Sequence, residues 1–289
     1  MHPDLYNVIP APSSLNIYVR SIIYSNQTTD IDFISTANST GCTYLGWLVD
    51  GKAVTNHDYG SLGLLKNDWH LSGQILNNNI EMHFTGSFKH ILFELKPLAA
   101  YQLFNIKGID ILNQCLTPSD LNSDLEQFCK AIVHDCSNIE INDLDSRIQK
   151  LSCALTKKAI TPSHVPDYLI DCIKMLDDSK GALKINELVA NTHVSARQFN
   201  RKFMECVGLS PKFYAKVLQM NHALHTMMSD DQAYLADVAQ ASGFYDQAHL
   251  IHVIQDFFSK PPVEFINSDE QILFTFLARS RDSTLNSEK

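Results

Sequence analysis

The stretch INELVANTHVSARQFNRKFMECVGLSPKFY, residues 185–214, decides the reading of the carboxy-terminal half of the chain. Ile185, Leu188 and Val189 set a short helical period, and His193-Val194 make a turn before Ser195. A serine at this point is a good N-cap, because its hydroxyl accepts from the orphan amides of the helix it opens. The helix it opens is predicted over Ala196 to Val207: Phe199 and Phe203 repeat at four-residue spacing on one face, while Arg197, Arg201 and Lys202 lie towards others. An apolar stripe backed by cations is the pattern of a recognition helix in a helix-turn-helix.

The scheme recurs from Leu235 to Phe265. Val238-Ala239 answers Val189-Ala190, and Leu250, Ile254, Phe258, Pro262 and Phe265 answer Phe199, Phe203, Val207, Pro211 and Tyr214. Between the units, Ser210-Pro211 caps and starts a helix expected to run to about Met228, since proline is tolerated at the first helical position. At about 1.5 Å per residue it is roughly 27 Å long. That suits two reading helices held about one DNA turn, ~34 Å, apart.

Together these residues resemble the AraC/XylS family of bacterial transcription regulators. The resemblance is carried by Ser195-Ala-Arg-Gln-Phe-Asn-Arg-Lys-Phe203, Gly208-Leu-Ser-Pro-Lys-Phe-Tyr214, Gly243-Phe-Tyr-Asp-Gln-Ala-His-Leu250 and Pro262-Val-Glu-Phe265, about a hundred residues in all. It implies a seven-helix domain that binds double-stranded DNA behind a variable regulatory domain, and an activator of this type would also meet RNA polymerase. Upstream, Leu92-Phe-Glu-Leu-Lys-Pro-Leu-Ala-Ala-Tyr-Gln-Leu-Phe104 looks like the sensor half of one AraC branch. Four positions depart from the family pattern: His252 and Gln255 stand where basic residues are usual, Ser259 where a glycine ends the helix, and Gln219 where an arginine is common.

Charge separates the two units. Residues 184–228 carry six cationic side chains against two acidic ones, a net of +4, whereas residues 229–267 carry Lys260 against six acids, a net of -5. Phosphate neutralisation supplies much of DNA affinity. The first unit is therefore expected to anchor DNA, with Ser195, Arg197, Gln198 and Arg201 as candidate base contacts and Lys202 and Lys212 on phosphate. From the second unit, Gln247, His249 and His252 are the candidates, as a weak, pH-sensitive or protein-contacting element. The competing reading is a ligand or partner sensor that acts by protein association, its DNA contact vestigial.

The chain has 289 residues and a formal charge of -9, room for two cores and no general affinity for nucleic acid. It has no apolar stretch of membrane-spanning length and no signal-peptide core at its start, so a cytoplasmic protein without membrane contact is expected. Seven scattered cysteines fit reduced thiols. The fold class expected is α+β, divided into a sensing or dimerising domain over 1–160, a linker over 161–166 marked by Thr161-Pro-Ser-His-Val-Pro166, and an all-α DNA-binding domain over 167–267. The sensor reads as a small β-barrel or curled sheet followed by helices. Its strands are expected over 17–24, 43–49, 53–55, 60–65, 70–76, 80–84 and 91–95, and the helical period begins after Pro97.

Such a domain either holds a small-molecule effector, answers to a regulatory protein, or pairs with a second copy of the chain. Trp47, Trp69, His70, His83, Phe88, His90 and Phe93 are the candidate lining of an effector pocket, since aromatic walls with a few convergent polar groups suit small ligands. Packing in the core is the competing use of Trp47, Trp69 and Phe93. No catalytic residue, cofactor or metal site is expected: neither His222/His225 nor Cys129/His134/Cys136 has four-ligand spacing, and no GxSxG, P-loop, HExxH or dinucleotide fingerprint is present. Beyond Phe265 one more helix is expected from Asp269-Glu270 through Leu277, followed by a disordered tail after Ser283.

Overall fold

A computed structural model of the chain describes residues 5–57, 59–76, 80–229 and 234–266. The helix and tail expected over 268–289 lie outside the described residues.

The described residues of the first half hold seven antiparallel strands, the last of them after the first helix: β1 Asn7–Pro10, β2 Val19–Ala37, β3 Thr43–His57, β4 Gly60–Leu64, β5 Trp69–Ser72, β6 Ile80–Leu95 and β7 Cys115–Leu116. Their order is β1-β2-β6-β3-β5-β7, with β4 paired to β3. β1 and β7 do not pair with each other, so the sheet is curled and not a closed barrel. The segments expected at 43–49 and 53–55 are one strand, and so are those at 80–84 and 91–95; β2 likewise continues thirteen residues past its expected end at Tyr24. The joins lie at irregularities, where register shifts between Leu48 and Lys52 and between Gln27 and Ile31. Gly51 sits at one of them with φ +109°, where a Cβ would lie 2.2 Å from the carbonyl oxygen of Ser87. Glycine is the residue that lets a strand bend through such a bulge.

Because successive strand residues point to opposite faces, the sheet has two apolar sides. On one, Leu45, Trp47, Trp69, Leu71, Ile91 and Phe93 pack with α1 Ala99–Phe104, α3 Ser123–Asp135 and α4 Leu144–Lys158, and α2 Pro118–Leu121 adjoins them. Trp47 and Trp69 are direct cross-strand partners whose rings stack at 5.1 Å and 7°. The Arg147 guanidinium lies 5.3 Å from the Trp47 ring and donates to the carbonyl of Ile139 at 2.7 Å. The opposite side holds Tyr6, Leu48, Phe84, Phe88 and Leu92.

After the irregular segment at 161–166 the described residues form seven helices: α5 Asp167–Asp178, α6 Ile185–Ala190, α7 Ala196–Val207, α8 Pro211–Ser229, α9 Leu235–Ala241, α10 Gln247–Phe258 and α11 Pro262–Ile266. One apolar cluster runs through them. Leu188, Phe199, Phe203, Tyr214, Leu250, Ile254 and Phe265 are all fully buried, so the spacing that marked both repeats is the spacing of the core. Ser195 accepts from the Gln198 amide at 3.3 Å while the Gln198 side chain accepts from the Ser195 amide at 3.2 Å, a capping box that sets the start of α7. Gly208, at φ +89°, ends it. In the second unit Ser259 takes the same left-handed position at φ 56°.

The helical core also buries Leu98, which precedes α1. A short 3-10 helix, Gly108–Ile111, packs on the carboxy-terminal end of α7. The segment between α4 and α5 is tied down as well: the Ser163 amide donates to the carbonyl of Gln102 at 2.7 Å, and Val165 is buried.

Candidate functional site

The exposed face of α7 is where a groove could be read. Arg197 and Arg201 are one helical turn apart, both exposed, and neither has an ion-pair partner among the described residues. Asn200 is exposed beside them, its amide donating to the Ala196 carbonyl at 2.8 Å. Ser195 and Gln198 are exposed too, although their polar atoms also serve the capping box. Lys202 is placed differently. Only a quarter of its side chain is exposed; it pairs with Glu205 at 3.2 Å and lies 5.2 Å from the Tyr101 ring of α1. Lys212 is exposed at the start of α8.

The second unit has the same shape and opposite electrostatics. Gln247, His249 and His252 are exposed on α10. Here the N-cap is Asp246, whose carboxylate accepts from the His249 amide at 2.8 Å. A carboxylate at a helix N-terminus occupies the place where a phosphate would be drawn by the free amides and the dipole. In α7 that place is held by the neutral hydroxyl of Ser195. His249 is further engaged, accepting weakly at Nδ1 from the Tyr245 amide at 3.4 Å and packing edge-on to Phe244. Gln219, a departure from the sequence pattern, donates from α8 to the carbonyl of Gly243 at 3.3 Å and so braces the turn of the second unit.

Residues 188–268 match the family model described as a helix-turn-helix domain. With two such units joined through α8, the assignment is direct. The carboxy-terminal segment is an AraC-type helix-turn-helix domain. Domains of this type are the DNA-binding part of transcription regulators, and the matched residues hold the end of α6 and all of α7 to α11. Among solved structures, ToxT from Vibrio cholerae is similar over 90% of this chain and 97% of its own at 10% identity, with a TM-score of 0.46. The AraC-like transcriptional activator CuxR aligns over 99% and 87% at 10% identity, with a TM-score of 0.29. No curated protein matches the chain in sequence. No helix of the described residues is long and apolar enough to cross a membrane.

A second candidate site lies in the sheet. On the side away from the helices that cover the sheet, a cavity is walled by residues of β2, β3, β5 and β6 with Tyr6 and Cys115. Of the five residues Trp47, Trp69, His70, His83 and Phe93, only His70 lines it; His90, in the same sequence group, lines it too. The reason is strand alternation. Trp69 and His70 are consecutive and must face opposite ways, so Trp47, Trp69 and Phe93 belong to the helix-covered core. Phe88 packs beside His90 at 5.4 Å between ring centres. His83 lies on the outer part of the sheet, 2.6 Å from Asp32.

Within the cavity, His70 Nε2 and His90 Nε2 are 3.0 Å apart, His70 Nδ1 is 3.0 Å from the Ser72 hydroxyl, and His90 Nδ1 is 3.3 Å from the Tyr6 hydroxyl. Ser72 donates on to the Cys115 thiol at 3.3 Å. One proton arrangement satisfies all four contacts with both rings neutral: Tyr6 donates to His90, His90 to His70, His70 to Ser72. Burial holds both imidazoles below their ordinary range, His70 at about 4. The signal for this pair was present in the sequence as Gly46, mid-strand, where a Cβ would lie 2.0 Å from His70 Nε2. Tyr6 had no such signal.

Proposed function

We propose that this protein is a DNA-binding transcription regulator in which α7 is the main reader of the major groove and the amino-terminal sheet domain, residues 1–160, is the controlling part. The carrying observation is the contrast between the two reading helices: α7 presents Arg197 and Arg201, without ion-pair partners among the described residues, behind a neutral N-cap, while α10 has an acidic one. Arg197 and Arg201, with Ser195 and Gln198 at the helix start, take base edges; Lys212 and the amides at the start of α7 take phosphate. Lys202, turned towards Tyr101, reaches phosphate only by leaving that contact. Gln247, His249 and His252 make a weaker second contact or meet a protein. RNA polymerase is the partner if the protein activates, and the regulator works in the cytoplasm.

Control comes from a small molecule or partner at the sheet domain, the cavity around His70 being the place for the former. The test is a titration of the full chain against DNA from upstream of its own and neighbouring genes over a salt series. Saturable, sequence-selective binding whose affinity falls steeply with salt is expected. If selective binding is lacking even at low salt, the net -5 of the second unit favours the other reading, a sensor acting by protein association.

A further inference from the structure

The cavity wall and the surface that meets the helix-turn-helix domain share one short turn. Asn38 and Thr40 line the cavity, where the Thr40 hydroxyl is 2.7 Å from that of Tyr44. The same turn's other side rests on α8: the Asn221 side chain donates to the Thr40 carbonyl at 3.1 Å, and Gly41, at φ +80°, lets the chain pass so close that a Cβ there would lie 3.2 Å from the Tyr214 ring and 3.7 Å from Val217. Tyr214, Val217 and Asn221 follow one face of α8 at spacings of three, four and seven. Tyr214 is anchored in turn by donating to Asp177 at 2.8 Å. A single residue, Thr40, thus touches the cavity with its side chain and the helix joining both reading units with its carbonyl.

The chemistry of the lining restricts what can enter. No Lys, Arg, Asp or Glu is among the described residues that wall the cavity, and Leu48, Ile75, Ile80, Phe84 and Leu92 are among its apolar lining. An ion would enter without a fixed counter-charge, which burial against apolar walls penalises. The polar groups available are uncharged side chains, the imidazole pair with Tyr6 on one wall and Asn38, Thr40 and Tyr44 near the turn among them, able to exchange hydrogen bonds with a hydroxyl, carbonyl or amide.

We propose that the cavity binds an uncharged, largely apolar molecule with one hydrogen-bonding head group, and that its occupancy braces the Asn38–Thr40–Cys42 turn against α8, so that the helix carrying both DNA-reading units is held more firmly. This deepens the effector control proposed above and rests on it. A filled cavity restores contacts its walls lack when empty, and the wall segment with the fewest other restraints gains most.

The test uses three probes of equal length and different charge, octan-1-ol, octanoate and octylammonium, titrated calorimetrically into the full-length protein. Octan-1-ol is expected to bind saturably, at least ~10-fold more tightly than either ion. Deuterium exchange of the 211–229 amides is then followed with and without octan-1-ol. Wild type should exchange more slowly when loaded, whereas Asn221→Ala and the similarly sized Asn221→Leu should bind octan-1-ol unchanged and show no slowing. Equal binding of octanoate, or no saturable binding of octan-1-ol, overturns the ligand class. Unchanged exchange in loaded wild type, or equal slowing in both variants, overturns the relay. Neither result touches DNA reading, which stands or falls on the salt titration alone.

Discussion

Gly108 and Gly208 meet backbone to backbone across the two halves of the molecule. A Cβ on Gly108 would lie 2.3 Å from the carbonyl carbon of Val207, and one on Gly208 would lie 2.6 Å from the Gly108 carbonyl oxygen. The contact fixes the end of α7 to the 3-10 helix of the sheet domain with no side chain between them. Gly108→Ala should therefore push the two apart. It is expected to cost about 1–3 kcal/mol in urea unfolding, as overpacking does, and to speed proteolysis between residues 159 and 167. Unaltered unfolding and proteolysis would show that the contact bears no weight.

Arg201→Ala should weaken DNA binding by about 1–3 kcal/mol and relax preference at one base position. Gln247→Ala and His252→Ala should change affinity by less than about 0.5 kcal/mol. Direct comparison at one salt concentration decides it, and equal losses from α7 and α10 would end the asymmetric picture.

Ser195 separates a capping role from a DNA role. Ser195→Ala removes the cap and should cost about 1 kcal/mol of stability. Ser195→Asp keeps an acceptor and adds negative charge at a helix start, so stability should hold while DNA binding falls. Thermal melts paired with DNA titrations report both; parallel behaviour of the two variants on DNA would remove phosphate or base contact from this end of α7.

Protonation of the cavity histidines should oppose folding. His70 titrates at about 4 in the folded protein and near 6.5 when unfolded, so between these values the unfolded chain binds more protons, and stability falls as pH drops from 6.5 towards 4. His90 and His222 are lowered in the same direction, each chiefly by burial. The share of His70 is on the order of 2–3 kcal/mol across that window. Urea midpoints at pH 7 and pH 4.5 should lie closer together in His70→Gln than in wild type; an identical gap would mean that His70 is not held neutral.

Ser259 occupies a left-handed position at the end of α10, φ 56°, without glycine's freedom. Ser259→Gly is expected to stabilise the protein by up to ~1 kcal/mol, the cost of a side chain in that conformation less the entropy that glycine loses. A fall in the melting temperature would show that the serine side chain has a compensating contact.

What the sequence revealed and what it hid follow from the range of the interactions involved. Both ends of α7 were legible because each is set within a few residues: Ser195 and Gln198 cap one end, Gly208 turns the other, and Phe199 and Phe203 mark the buried face. The connecting helix was legible from Ser210-Pro211 for the same reason. β2 was not. Its stretch Asn26 to Asp32 is polar and owes its extended form to pairing with β6 more than fifty residues away. The cavity in the sheet was half legible. His70 and His90 stood out as polar residues among aromatics, but placing Trp69 with His70 ignored the alternation that sends neighbours to opposite faces. Tyr6 joins the pair only through a contact across eighty-four residues, and the link from Thr40 to Asn221 spans one hundred and eighty-one. Local patterns give no notice of such partners.

The stacked indoles of Trp47 and Trp69 are the chain's complement of two tryptophans, and both sit in the core between the sheet and its helices. Ultraviolet emission excited at the indole band therefore views the amino-terminal half alone, while helical circular dichroism draws on both halves. Denaturation curves recorded by the two signals superimpose only if the halves melt together. The separation between the curves, in wild type and in Gly108→Ala, thus gives the strength of coupling between the sheet half and the helical half without any label being attached.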